Sequence, residues 1–493
     1  MRAFGVMILA LTAGLFQTGA AWAGENSVST LRQPASIEAQ TVAYGRYVLE
    51  DDQGGPPPEI PYAPVVEPGG LSFDADYDGG YVNEGNGNVD EGNGYVDDGT
   101  GCRGECGDPC GCVECCATPF RLFDCPSLRC RGIEVGGWLD QGITLNSDQP
   151  ANRFNGPVTF NDRSGEYQLN QLYLYAQRLT ETRGCGWDLG GRVDFLYGTD
   201  SRFLVSDGLD DDWGDSNRFY GGAMPQLYLD VAFNDLTIRM GRFYSILGYE
   251  SPMAPENFFY SHTYTRQYGE PFTHTGLLAM YDLNDCWSIA AGFDRGWNNW
   301  EDNNGDLSFI GRATWTSCDE CTSLSFGITS GNEDDAGLNN RTAYSLVFTQ
   351  QLTSRLRWVL EHAAGWEESV TTQLGTSDVE WYGVTNYLLY ELNPCWSLGL
   401  RYEWFADDDG ARVDHRNATG GPPNGMFWNG VPFQWNDLAL GINWTPNPNV
   451  TLRSEVRWDW VDLVGGLAPP DRPFDDYNNA NQFLWGTDLI IQF

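Results

Sequence analysis

From about residue 133 to the C-terminus, apolar and polar side chains alternate with period two, the pattern of a strand with two unlike faces. Trp187, Leu189, Val193, Phe195 and Tyr197 fall on one face, and Asp188, Gly190, Arg192, Asp194 and Gly198 on the other. The same alternation sets Trp396, Leu398, Leu400, Tyr402 and Trp404 against Ser397, Gly399, Arg401 and Glu403. It sets Leu452, Val456, Trp458 and Trp460 against Arg453, Glu455, Arg457 and Asp459. A soluble sandwich alternates too. Here, however, charges run in rows along one face while aromatics crowd the ends of the apolar face, as an interfacial girdle would.

The breaks between these segments carry more weight than any single strand. Short turn signals near 183–184, 234–235, 284–285, 316–322, 353–354, 393–394 and 446–449 alternate with long polar stretches. The long stretches are 146–165, 200–221, 249–272, 298–304, 332–341, 367–377, 407–432 and 464–479. Eight long and seven short connections predict 16 strands, with both ends of the barrel on the side of the short turns. The expected fold is all-β, a transmembrane antiparallel up-and-down β-barrel over residues 131–493. The last strand supports this: Phe483, Trp485, Leu489, Ile491 and Phe493 share a face, and a final amphipathic strand ending in Phe resembles the signal read by barrel-assembly machinery.

The region before the barrel is of another kind. Met1-Arg2, an apolar run to Ala20 and then Ala21-Trp22-Ala23 predict a signal peptide over 1–23 and therefore export. Residues 24–101 read as an acidic, Pro/Gly-rich, low-complexity linker that cannot bury a core. Within it, Asp74, Asp76 and Asp78 open like a calcium loop, but Gly85 stands where the bidentate Glu is needed. Residues 102–130 hold Cys102, Cys106, Cys110, Cys112, Cys115, Cys116, Cys125 and Cys130, expected to form a disulfide knot in an oxidising compartment, with a thiolate metal site as the rival reading. The other five, Cys185, Cys286, Cys318, Cys321 and Cys395, all sit beside predicted short turns.

Composition narrows the partners. The formal charge is −40, all 28 basic residues are Arg, and nucleic acid is excluded as a partner. There is no H-E-x-x-H, G-x-S-x-G or P-loop, and only four His (262, 274, 362 and 415), so no enzyme is expected. No cofactor is expected either, although the acidic outer loops could hold divalent cations.

One stretch, GRFYSILGYESPMAPENFFYSHTY from Gly241, resembles the OmpL-like β-barrel porins of bacterial outer membranes through Gly248, Glu250, Ala254, Asn257, Tyr260 and Ser261. The resemblance covers roughly residues 130–493 and implies an outer-membrane pore, surrounded by outer-membrane lipid, with the N-terminal segment in the periplasm. General porins further imply a homotrimer. On this reading Arg192, Asp194, Asp230, Arg239, Arg312, Arg355, Arg357, Arg401, Glu403, Arg453, Glu455 and Arg457 face a lumen too wide for side chains to fill. They line it, or pair across strands and stiffen the wall. The third long loop is rich in aromatics and poor in charge. It is expected to fold inward and narrow the pore through Glu250, Glu256, Asn257, Tyr260 and Ser261, an outer cap or subunit contact being the alternative. Acidic outer loops predict a preference for cations. The competing function is a structural or adhesive surface barrel whose cysteine-rich segment cross-links it in the periplasm.

Overall fold

A computed structural model describes residues 119–493, apart from 124, 183, 214–218, 336, 373–374, 414–431, 464–471 and 477. The expected signal peptide, the linker with Asp74, Asp76 and Asp78, and the cysteines from Cys102 to Cys116 lie outside the described residues.

Seventeen strands follow in chain order: β1 (Ile133–Asn146), β2 (Tyr167–Arg178), β3 (Trp187–Gly198), β4 (Gly221–Ala223), β5 (Leu227–Phe233), β6 (Leu236–Tyr244), β7 (Thr273–Asn284), β8 (Trp287–Asp294) and β9 (Ser308–Thr316). They continue as β10 (Thr322–Asn332), β11 (Asn340–Thr353), β12 (Leu356–Thr372), β13 (Gly375–Asn393), β14 (Trp396–Asp407), β15 (Phe433–Asn447), β16 (Val450–Leu463) and β17 (Asn481–Gln492). All pairings between neighbouring strands are antiparallel, and β1 pairs with β17 from Trp138↔Gln492 to Asn146↔Leu484, which closes the sheet. Strand β3 pairs with β4 at one end and β5 at the other. Those two are one crossing interrupted at Met224-Pro225-Gln226, where Pro225 has no N–H for the ladder. The result is a closed barrel of 16 crossings, as the alternation predicted. No described helix is long and apolar enough to cross a membrane.

Closure satisfies every strand edge, the condition for a sheet to sit in hydrocarbon. The outer face is what a lipid face requires: Trp187, Phe195, Leu229, Leu440 and Trp485 point outward and stay exposed. At the chain end, Phe493 exchanges both backbone hydrogen bonds with Gly137, each 2.9 Å, so the C-terminus itself finishes the seam.

The short turns follow a common local rule. In the repeated YxLNxCWS segments, Asn284 and Asn393 each accept the N–H of the cysteine two residues on, at 3.0 Å. Asn447 does the same for Asn449. A side chain that mimics the backbone in this way reverses the chain in two residues. The chain before β1 meets the same rim, where Phe120 exchanges two hydrogen bonds of 2.7 Å with the side chain of Asn449. Cys125 and Cys130, at the ends of the one-turn helix Pro126–Arg129, are exposed there.

Two expectations need correction. The stretch 367–377 is mostly strand, because β12 and β13 run on to Thr372 and Gly375. Its charges do not force a loop, since Glu367 faces Arg341 of β11 and accepts two hydrogen bonds from it, 2.7 and 2.8 Å. Arg355, expected inward, lies exposed in the turn between β11 and β12 and donates to Leu392 O.

Replacing mid-strand, lipid-facing Leu440 by Arg should destabilise the folded barrel by about 2–4 kcal/mol in bilayers. The check is reversible unfolding monitored by tryptophan fluorescence; a change within 0.5 kcal/mol or so, typical of an ordinary surface site, would contradict the lipid-facing assignment.

The lumen and its infolded loop

After Tyr244 the chain turns into the barrel instead of away from it, and residues 245–272 traverse the lumen before β7 begins. Gly248 permits the turn: its φ is +85°, and a Cβ there would meet the Glu270 carboxylate at 2.0 Å. Inside, Asn257 closes the loop on itself, accepting from Ser251 N–H and donating to the carbonyls of Ser251 (2.6 Å) and Met253 (3.0 Å). A short 3₁₀ turn, Ala254–Glu256, lies between.

The walls then bind the loop backbone. Ser345 of β11 accepts from Gly248 N–H at 2.8 Å, and Glu361 of β12 from Tyr249 N–H at 2.9 Å. Glu455 accepts from the N–H groups of Tyr260 and Ser261, and Glu403 from those of Tyr264 and Thr265. Donors face the carbonyls. Arg453 holds Asp488 with Nε and Nη2 (3.0 and 2.6 Å), while its Nη1 reaches the carbonyls of Ala254, Asn257 and Phe259. Arg401 pairs with Asp437 and Glu250, both at 3.2 Å, and donates to Ser261 O and Oγ. Arg457 joins Asp459 (2.8 Å) to His262 O (2.6 Å). Gln171 of β2 completes the ring with a bond to Pro252 O.

Shape complements these bonds. Lumen-facing glycines leave sockets for loop side chains: a Cβ on Gly399 would lie 2.2 Å from a Phe258 ring carbon, on Gly383 2.3 Å from Thr265 Oγ1, and on Gly142 2.7 Å from Tyr260 Oη. Phe258 and Phe259 pack with Val359, Tyr387, Leu389 and Ala439 of the wall. Tyr264 and Tyr268 join Trp381, Phe405 and Trp435 on the side of the long connections.

The constriction-loop candidates therefore share this infolded segment. Glu250 accepts hydrogen bonds from Thr263 N–H (3.0 Å) and Tyr387 OH (2.9 Å), and His262 Nδ1 lies 3.0 Å away. Tyr260 OH donates to Asn170, and Glu256 ends the short turn at the loop's centre. The lining candidates other than Arg355 face inward, but the loop changes their setting. Arg192, Asp194, Asp230, Arg401, Glu403, Arg453, Glu455 and Arg457 are buried. Only Arg239, Arg312 and Arg357 among them keep partial exposure. Arg239 is paired with Asp230 at 2.8 Å, whereas Arg312 donates to Ser325 Oγ and faces no carboxylate among the described residues.

Sequence reasoning missed several partners, including Gln171, Asn170, Asp437 and the socket glycines. Their signal was present only as inward parity. It did not say which inward residues would meet a loop. Ser245, His274 and Asp294 also come together, with His274 Nε2 3.1 Å from Ser245 Oγ and Nδ1 3.1 Å from Asp294. The order is that of a hydrolase triad, yet the imidazole and the carboxylate are completely buried, and the trio joins the start of the loop to β7 and β8.

A closed antiparallel barrel with a lipid-facing exterior and a long connection folded into its lumen defines a pore-type outer-membrane barrel. The chain matches the family described as "Putative beta-barrel porin-2, OmpL-like" over residues 132–493, and it belongs to that family: it is an outer-membrane porin, a channel and not an enzyme. Among solved structures, it is similar to OprB of Pseudomonas putida at 13% identity, covering 74% of this chain and 96% of that one with a TM-score of 0.49. It is also similar to the anion-selective porin of Comamonas acidovorans (10% identity, 73% and 99% covered, TM-score 0.46). The outer membrane channel DcaP of Acinetobacter baumannii is a third (12%, 73% and 97%, 0.45). No curated protein shows a significant match.

Two substitutions separate the bonds from the sockets. Arg453→Ala should cost about 3–5 kcal/mol, because it strands the buried Asp488 and three loop carbonyls together; the urea midpoint reads this. Gly399→Val should expel Phe258 and leave the barrel closed. Hydrogen exchange is then expected to speed up in residues 252–266 while β13–β15 stay protected, and unchanged protection would show that the socket is dispensable.

Proposed function

We propose that this porin lets small hydrophilic solutes diffuse passively across the outer membrane, that residues 245–272 set its narrowest section, and that it prefers cations. The observation that carries the reading is the infolded loop, which occupies the lumen and is held from β11 round to β2. A strap fixed at so many points narrows a pore without needing to move.

The cation preference rests on a balance of charge. The arginines in contact with the loop are each offset by carboxylates of the wall, Arg192 by Asp194, Arg401 by Asp437, Arg453 by Asp488 and Arg457 by Asp459. The uncompensated charge is acidic: the barrel region carries 49 acidic residues against 22 Arg. Clusters such as Asp210-Asp211-Asp212, Glu333-Asp334-Asp335 and Asp407-Asp408-Asp409 stand in or beside the long connections, where they would concentrate cations and could hold divalent ions. Arg312 is the counterweight within the lumen.

On this reading the short turns and the N-terminal segment face the periplasm, after removal of a signal peptide and insertion by barrel-assembly machinery, and the barrel works as a homotrimer in outer-membrane lipid. One observation favours a second reading: eight of the twelve candidate lining residues are buried, which would also suit a closed, structural barrel.

Planar-bilayer recording under a salt gradient decides between them. Ohmic steps with a cation-favouring reversal potential are expected, and deletion of residues 252–266 should raise the unit conductance several-fold. An anion-favouring potential would reverse the selectivity assignment and direct attention to Arg312. Silence from a folded, heat-modifiable barrel that begins to conduct on deletion of the loop would establish the closed form.

A further inference from the structure

The short turns hold five cysteines, and two of them meet. Cys286, in the turn between β7 and β8, has its Sγ 3.2 Å from the Sγ of Cys318, in the turn between β9 and β10. The two turns are held in register by the backbone, since Thr316 N–H donates to Cys286 O at 2.8 Å. Cys286 is half-buried and Cys318 exposed, so a small oxidant can reach the pair. We propose that Cys286 and Cys318 form a disulfide that staples these neighbouring turns into one covalent ring around β8 and β9.

The position has a mechanical reason. β8 has eight residues, the shortest strand to cross unbroken, and β9 has nine, against 17 and 19 for β12 and β13. The ladders of β8 with β7 and β9 are short, eight paired positions each, and Asp294 of β8 adjoins His274 beside the start of the infolded loop. A cross-link at the opposite end of β8 would keep that short ladder from fraying.

Cys318 has a competing partner, because Cys318-Asp319-Glu320-Cys321 has C-x-x-C spacing. Cys321 belongs to the other side of its turn, where its carbonyl accepts from Gln351 N–H at 2.7 Å and so faces β11. The surroundings also argue for a structural bond over an exchanging one. Reactive cysteine pairs depend on electropositive surroundings that favour the thiolate. Here the contact with Cys318 pushes the Cys286 thiol up, with Asp285 adding to it, and burial followed by Asp319 and Glu320 pushes Cys321 up.

The chemistry balances with a disulfide oxidant. A thiolate from one cysteine attacks oxidised glutathione and releases one reduced glutathione; the second cysteine then attacks the mixed disulfide and releases another. Two S–H bonds are lost, one protein S–S bond forms, and the two protons and two electrons leave with the reduced glutathione. The sulfur atoms need to approach by about 1 Å to reach bonding distance.

The test uses the full chain folded in detergent, exposed to oxidised glutathione, quenched in acid, alkylated and digested for mass spectrometry. The expected result is a peptide pair joined through Cys286 and Cys318, about 2 Da lighter than the sum of the free thiol forms. Cys286→Ser should abolish that pair and leave Cys318 open to alkylation in a barrel that still shows heat-modifiable mobility. Alkylation of both residues in the oxidised barrel, or a Cys318–Cys321 link in their place, would overturn the proposal. The staple's physiological formation rests on the periplasmic placement of this rim. Protein isolated from cells without reductant tests that separately: a pair that links in vitro and is reduced in cells would refute the placement while leaving the geometry intact.

Discussion

Everything inside this barrel depends on arginines that must not be left alone. A guanidinium excluded from water is tolerated only when its charge is met and hydrogen bonds replace the water it loses. Arg401, Arg453 and Arg457 meet that demand in two directions at once. One side of each fork is neutralised by a carboxylate of the wall, and the other holds carbonyls of the loop. The loop in turn needs them, because the carbonyls of a backbone without regular secondary structure must find side-chain donors. Removing either half leaves the other unsatisfied, so wall and loop form one polar system.

Glutamates complete the arrangement with the opposite polarity. Glu403 and Glu455 each accept two consecutive N–H groups of the loop, as an anion does at a nest of amides. Glycine sockets then let aromatic rings approach the sheet closely, so apolar packing and hydrogen bonding act on the same few residues. A loop held this way behaves as part of the wall. On the proposed function, conductance and selectivity would be properties of a fixed shape, with no hinge required.

Much of this was legible along the chain. Alternation at Trp187–Gly198 and Trp396–Glu403 assigns both faces correctly, because the pleat leaves no freedom once one face must meet lipid. The short turns are equally readable, since Asn284 and Asn393 carry their own reversal chemistry. The strand count follows from both. Reading failed where charge stood in for geometry. Residues 367–377 look like a loop because they are polar, but a cross-strand partner at Arg341 makes Glu367 a ladder residue. Arg355 has inward parity if the strand is extended through it, and the turn ends the strand first.

Pattern along the chain sets the barrel, its 16 crossings, the two faces of its strands and the unusual character of the third long connection. These are local properties, set by periodicity and turn chemistry within a dozen residues or so. That the inward charges also hold a loop emerges from the folded barrel alone. The bond from Arg453 to Ala254 joins residues 199 positions apart, and the one from Glu403 to Tyr264 joins residues 139 apart. No pattern in one strand records which distant segment will fill the space in front of it. That choice is made when closure of the sheet creates a lumen and a nearby aromatic loop offers the groups to satisfy it.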